Sequence, residues 1–122
     1  MMENAETIRP SIMVDMKKNR IRIHKHTLRT LGDPDFVMLI VNPEEHTLGI
    51  KRSTIDDKRA HRVHKSTVKK DCELYSKSLM SAFRELCPDW DRRKCYRIEG
   101  EIVTGENMAV FSMMDSSCLV ID

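Results

Sequence analysis

One stretch of this chain, residues 20–52, predicts a strand, a short helix and a hairpin in direct succession. Residues 20–24 alternate polar and apolar side chains, which places Ile21 and Ile23 on one face of a strand. A helix of one or two turns follows. It ends before Gly32, the residue type that most often follows a helix end.

The hairpin is predicted from residues 36–41, an uninterrupted run of strand-forming apolar residues, and from residues 47–52, which alternate again. Pro43 lies in the turn between them, where its fixed φ suits the second turn position. A unit of this size cannot bury its own apolar faces. It therefore needs a second unit to pack against.

The same order of elements recurs at an offset of about 50 residues. Ser76 is a favoured N-cap residue, and the apolar stripe after it ends at Pro88, which cannot continue a helix. Residues 95–104 and 108–114 then predict a second hairpin, with Gly100 as a bulge or bend. The match is in pattern rather than identity, and it predicts two half-units about a pseudo-twofold axis.

We therefore predict a β-dominated α+β fold, built as a duplicated strand–helix–hairpin unit with two short helices. A chain of 122 residues has room for one domain with a modest core. The predicted parts are a mobile arm at 1–10, a first half-unit at 11–52, a basic linker at 53–71 and a second half-unit at 72–122. Residues 118–121 predict one added edge strand.

Basic residues gather in two blocks, although the net charge is only +2. Residues 16–32 hold six Lys and Arg and no acid, and residues 51–70 hold eight Lys and Arg against two Asp. The rest of the chain is net acidic. Such blocks indicate a basic face. A solvated linker beside a charged strand face stays open as the alternative.

Several classes of protein are not favoured by this sequence. No apolar run approaches the ~20 residues that cross a bilayer, and the first ten residues lack the apolar core of an export signal. The four cysteines show no C-x-x-C spacing, so reduced thiols in the cytoplasm are expected. We predict no membrane association.

Neither metal binding nor catalysis is predicted. His24 and His26 are two residues apart, and His61 and His64 are three residues apart. No Cys lies near either pair at the spacing of a zinc finger, and no H-E-x-x-H motif occurs. Phosphate-binding, nucleophile-elbow and dinucleotide-binding motifs do not occur either. We therefore predict no catalytic residue, no metal ligand and no cofactor.

The first 50 residues resemble the AbrB/SpoVT/MraZ class of bacterial transition-state regulators and antitoxins, and residues 72–114 resemble it more weakly. The matching residues are Arg20, Ile21, Ile23, the tetrapeptide Arg29-Thr30-Leu31-Gly32 and the pair Lys51-Arg52. The resemblance implies a swapped-hairpin β-barrel made of two such units. As in MraZ-like proteins, both units would lie in one chain, a pseudo-dimeric monomer; a homodimer is the other possibility.

The resemblance also implies DNA as the partner. A two-stranded β-ribbon can enter the major groove, where Arg can form paired hydrogen bonds to guanine. The residues predicted to contact DNA are Arg20, Arg22, Lys25 and Arg29, with Lys17, Lys18, Lys51 and Arg52 adding phosphate contacts. An alternative is that Arg20 and Arg22 form the solvated side of an edge strand, kept charged against edge-to-edge pairing.

The leading functional prediction is a small cytoplasmic DNA-binding transcriptional regulator of bacterial or mobile-element origin. The alternative is a non-enzymatic module for protein–protein interaction or oligomerisation. It is suggested by the second half, which has Phe83-Arg84-Glu85-Leu86 instead of the R-x-L-G signature. That half also carries Met108, Met113 and Met114 in its hairpin.

Overall fold

The computed structural model describes residues 9–65 and 71–119, which form one antiparallel sheet and two helices. The elements are β1 (Ser11–Asp15), β2 (Arg20–His24), α1 (Lys25–Thr30), β3 (Phe36–Asn42), β4 (Thr47–Ser53), β5 (His61–Arg62), β6 (Asp71–Leu74), α2 (Lys77–Leu86), β7 (Cys95–Val103) and β8 (Met108–Leu119). The predicted β-dominated α+β class and the two short helices are confirmed.

Local chemistry explains the elements that position the site. On β2 the alternation buries Ile21 and Ile23 completely and leaves the polar side chains outside, as predicted. Gly32 follows α1 with φ +90, a conformation that disfavours other residues. The Ser76 hydroxyl caps α2 by accepting a hydrogen bond from the Leu79 N–H at 3.1 Å.

The sheet nearly closes into a barrel. Its strand order is β5-β3-β4-β8-β7-β1-β2-β6. The two ends approach each other at one bridge just after β5, where the His64 N–H donates to the Glu73 carbonyl at 2.8 Å and the Glu73 N–H donates back at 2.9 Å. This closure protects the short edge strands from pairing with other chains.

Strand pairing interleaves the first and last parts of the chain. The β1–β2 hairpin lies between β7 and β6, and the β3–β4 hairpin lies between β5 and β8. In the described sheet these two hairpins do not pair with each other. Each of them is therefore held by strands from elsewhere in the chain.

The core fills the inside of this sheet and is covered on one side by α2. That helix buries Leu79, Met80 and Phe83. The Phe83 ring stacks on Trp90 at 5.4 Å, and Trp90 stacks on Tyr96 at 4.3 Å between ring centroids. This stack fixes the loop between α2 and β7, which forms one wall of the site described below.

The last strand differs from the prediction. Residues 118–121 were expected to add a separate edge strand, but β8 continues without a break to Leu119, and its residues 108–111 and 116–119 pair with β7. Residues 120 and 121 lie outside the described residues. The predicted bulge at Gly100 is confirmed, because the β7–β8 register shifts between Ile98 and Gly100.

Parts of the predicted arm and linker also lie outside the described residues, namely 1–8 and 66–70. At the end of the predicted arm, the Pro10 carbonyl accepts a hydrogen bond from the Gly100 N–H at 2.8 Å, so residues 9–10 dock on β7. The predicted linker contributes β5 and the bridge to β6.

Candidate nucleic-acid interface

A cleft of about 620 Å³ opens on the outer face of β1, β2 and β7. Most of its lining is charged. The charged residues are Asp15, Lys17, Lys18, Arg20, Arg22, Asp91, Arg93 and Lys94. Met13, Cys95 and Leu119 complete the lining.

The β1–β2 hairpin places four of these cations. Arg22 lies opposite Met13 and Arg20 opposite Asp15, so both arginines share the outer face. The turn between the strands is tight, with Asn19 at φ 54, and it leaves Lys17 and Lys18 exposed at its tip. The Asp15 carboxylate accepts a hydrogen bond from the Lys18 N–H at 3.0 Å and so fixes the turn.

The loop before β7 supplies the opposite wall. The Asp91 carboxylate accepts hydrogen bonds from the Arg93 N–H at 2.8 Å and from its guanidinium at 3.2 Å. The Lys94 carbonyl accepts from the Met16 N–H at 3.1 Å, which ties the loop to the end of β1. The Tyr96 hydroxyl accepts from the Asp91 N–H at 2.6 Å. These bonds bring Arg93 and Lys94 to the cleft.

Arg20, a predicted DNA contact, forms ion pairs with two carboxylates. Its guanidinium donates to Glu73 at 2.9 Å and lies 3.4 Å from Asp15, and the side chain is only 11% exposed. Contact with a phosphate would require it to leave both partners. Its position indicates that it holds β1, β2 and β6 together on their outer face.

Arg93 is exposed, but it also forms an ion pair, with Asp91. Hydrogen bonds and attraction from the Arg93 guanidinium lower the pKa of Asp91, so this carboxylate stays ionised at any physiological pH. Four cations that line the cleft, Lys17, Lys18, Arg22 and Lys94, form no ion pair with any described residue.

Cys95 provides no reactive thiolate in this cleft. Burial and the neighbouring Asp15 carboxylate raise the pKa of its thiol, which is therefore protonated near neutral pH. No disulfide joins any of the four cysteines, all of which lie in the described part of the chain.

The other four predicted DNA contacts do not line the cleft. Lys25 and Arg29 belong to α1, and Lys51 and Arg52 to β4. The Arg52 guanidinium covers the end of α1, because a Cβ on Gly32 would lie 2.6 Å from one of its nitrogens. The eight predicted residues therefore separate into a cleft group and a group elsewhere on the surface.

Sequence reasoning missed Arg93 and Lys94. They belong to the run Arg92-Arg93-Lys94, a visible signal concealed because residues 71–122 are net acidic as a whole. Charge counted in a short window would have found the run. That it faces Lys17 and Lys18 could be known only from the pairing of β1 with β7.

Two further cavities adjoin the cleft. A small one of about 50 Å³ shares Met13 and Arg22 with it and adds Arg97. A larger one of about 570 Å³ shares Lys18 and is also lined by Tyr75, Lys77 and Arg84, among other residues. The cleft shares lining residues with each of the other two cavities, and we call the three together the basic groove below.

Other kinds of site find no support in residues 9–65 and 71–119. No three His, Cys, Asp or Glu side chains among them are grouped as they would be around a metal ion. Neither described helix has the length and apolar character that crossing a bilayer requires. Comparison with family models, with curated proteins and with solved structures gives no match.

Proposed function

We propose that this chain is a small DNA-binding regulatory protein that holds phosphates in its cleft. The observation that carries this proposal is the convergence of Lys17, Lys18, Arg22 and Lys94 on one cleft, where none of them forms an ion pair with a described residue although Asp15 and Asp91 also line it. They come from two segments far apart in the sequence. A polyanion that binds such a cluster of cations gains free energy by releasing its condensed counterions.

The proposal includes a duplicated, swapped-hairpin architecture of the AbrB-like type. Exchanging β1–β4 for β5–β8 converts every strand pair except β1–β2 into a pair of the same sheet: β1–β7 becomes β5–β3, and β3–β4 becomes β7–β8. The bridge between His64 and Glu73 takes the place of the β1–β2 pairing. Burial also corresponds, since Val63 next to β5 and Ile12 in β1 are both buried. These correspondences support an ancestral repeat in one chain.

A cytoplasmic regulator of bacterial or mobile-element origin fits this architecture and completes the proposal. The alternative is an interaction module without DNA binding. It is favoured by apolar side chains on the outside of the sheet, where Ile40 is 43% and Met114 76% exposed. The side chains of Met108 and Ile40 also lie directly beside Gly49. Such residues can line an adaptable protein-binding surface.

Retention on a column that carries both duplex and denatured DNA separates the two candidates. We expect the protein to bind at low salt, and a rise in salt to elute it. The double variant Arg22→Ala with Lys94→Ala should elute at clearly lower salt. The matched control, Arg92→Ala with Lys58→Ala, removes the same charge from exposed positions that do not line the cleft and should elute like the parent protein.

Loss of retention in the control to the same extent would mean that charge alone, and not the cleft, governs binding. No retention of the parent protein at low salt would favour the interaction module.

A further inference from the structure

The basic groove is recessed, and this limits the form of nucleic acid that it can take. Its central cleft is lined by outer-face residues of β1 and β2, by the loop with Arg93 and Lys94 and by the turn with Lys17 and Lys18. Its central cleft has the volume of a small-ligand pocket, within the range of ~300–1,000 Å³. One flexible strand can follow a set of small adjoining cavities more closely than a stiff duplex can.

Each of the three cavities has cations in its lining. Arg97 lines the small cavity, Arg22 and Lys94 line the cleft, and Lys77 lines the larger cavity. Three acids, Asp15, Asp71 and Asp91, also line the cleft or the small cavity. Because neighbouring cavities share residues, we expect the phosphates of one strand to reach cations of more than one cavity.

An aromatic ring stands at the Lys77 end. Tyr75 is 49% exposed, yet its orientation is fixed, because its hydroxyl donates to the Glu73 carboxylate at 2.7 Å and the His64 ring meets it edge-on at 5.6 Å. Hydrogen bonding to Glu73 raises the pKa of Tyr75, so its phenol is neutral and does not repel phosphate. Trp90 and Tyr96 stack on each other and cannot serve in its place.

We infer that the basic groove binds single-stranded nucleic acid, with phosphates on Lys17, Lys18, Arg22 and Lys94 and one base stacked on Tyr75. Stacking on an aromatic ring accepts any base, so binding depends little on sequence. This inference rests on the proposed function and specifies the form of the nucleic acid.

Fluorescence anisotropy with a labelled 12-nucleotide oligothymidine and with a duplex of the same length tests the inference. We expect the single strand to bind at least ~10-fold more tightly at the same salt concentration. Equal or tighter binding of the duplex would overturn the inference and leave DNA binding intact. If neither probe binds at low salt, the proposed function fails as well.

The stacking contact has its own matched pair of variants. Tyr75→Leu removes the ring and should weaken oligothymidine binding by ~5- to 100-fold. Tyr75→Phe keeps the ring but loses the hydrogen bond to Glu73, and its affinity should stay close to that of the parent protein. Undiminished affinity of Tyr75→Leu would overturn the stacking contact. The emission of Trp90, which is partly buried and packs against the core, reports whether each variant is folded.

Photocrosslinking tests the stacking contact on the unmodified chain, so its result does not depend on whether the variants fold. An oligonucleotide that carries 5-iodouracil should crosslink to Tyr75 on illumination, which peptide mass spectrometry can locate. Crosslinks only to residues outside the groove would contradict the inference.

Discussion

Arg20 and Arg22 lie two residues apart on the same face of β2, yet their surroundings give them different roles. Arg20 is nearly buried and pairs with Asp15 and Glu73. Arg22 is half-buried at the cleft and forms no ion pair with a described residue. A buried ion pair becomes costly when one partner is removed, whereas an unpaired surface cation is dispensable for folding.

The two arginines should therefore give opposite results on substitution. We expect Arg20→Ala to lower the free energy of unfolding by about 2 kcal/mol, because the buried Asp15 carboxylate loses its cation. Arg22→Ala should change it by less than about 0.5 kcal/mol and should weaken DNA binding. Urea unfolding and column retention measure the two effects. A stable Arg20→Ala protein that no longer binds DNA would reverse these assignments.

At this scale, alternation predicted which β2 side chains are inside but not which outer ones are paired. The burial of Ile21 and Ile23 follows from the period of a strand. The neutralisation of Arg20 depends on Glu73, which the pairing of β2 with β6 brings close, and no local pattern contains that information.

Among the elements, the β7–β8 pair shows how one glycine shapes a strand. A Cβ at Gly100 would lie 2.3 Å from the Val110 carbonyl oxygen and 2.6 Å from the Phe111 ring. Neither group can move cheaply, because one is backbone and the other is fully buried. The bulge therefore requires a residue without a side chain at this position.

Alanine at two glycines tests this account. Gly100→Ala should lower the free energy of unfolding by about 2–3 kcal/mol through overpacking. Gly49→Ala is the matched control in a neighbouring strand, because its Cβ would meet the mobile end of Met108 at 3.0 Å. We expect it to cost less than about 1 kcal/mol in a urea titration. Similar losses in the two variants would mean that the close approach at Gly100 is not what fixes the bulge.

The order of elements was predictable because period, turn residues and caps are local signals. The length of β8 was not, because residues 116–118 are small or polar and become a strand through pairing with β7. The wall formed by Arg93 and Lys94 escaped prediction for a related reason. Its position depends on Trp90 packing between Phe83 and Tyr96.

At the scale of the whole molecule, interleaved pairing makes the two halves of the chain depend on each other. The β1–β2 hairpin is flanked by β7 and β6, and β4 is flanked by β8. The sequence suggested two related half-units, but which strands pair between them is a long-range property. The cleft follows from that pairing, because β7 brings its loop beside β1.

A single cut between the halves tests this dependence. With a protease site inserted between Lys65 and Asp71, the cleaved chain should remain one folded particle in size-exclusion chromatography under native conditions. Each fragment alone should show the circular dichroism of an unfolded chain, because its hairpins lack their flanking strands. A fragment that folds alone with a full sheet would contradict interleaved pairing.

The central claim is that the unpaired cations of the cleft hold phosphates, and the salt dependence of oligothymidine affinity tests it most directly. With four phosphate contacts, the logarithm of the association constant should fall against the logarithm of salt with a slope of about −3. Lys17→Ala with Lys18→Ala should reduce that slope by about 1.5. Lys58→Ala with Arg59→Ala, which removes two cations outside the cleft, should leave it unchanged. A slope near zero, or an equal change in both variants, would contradict the account.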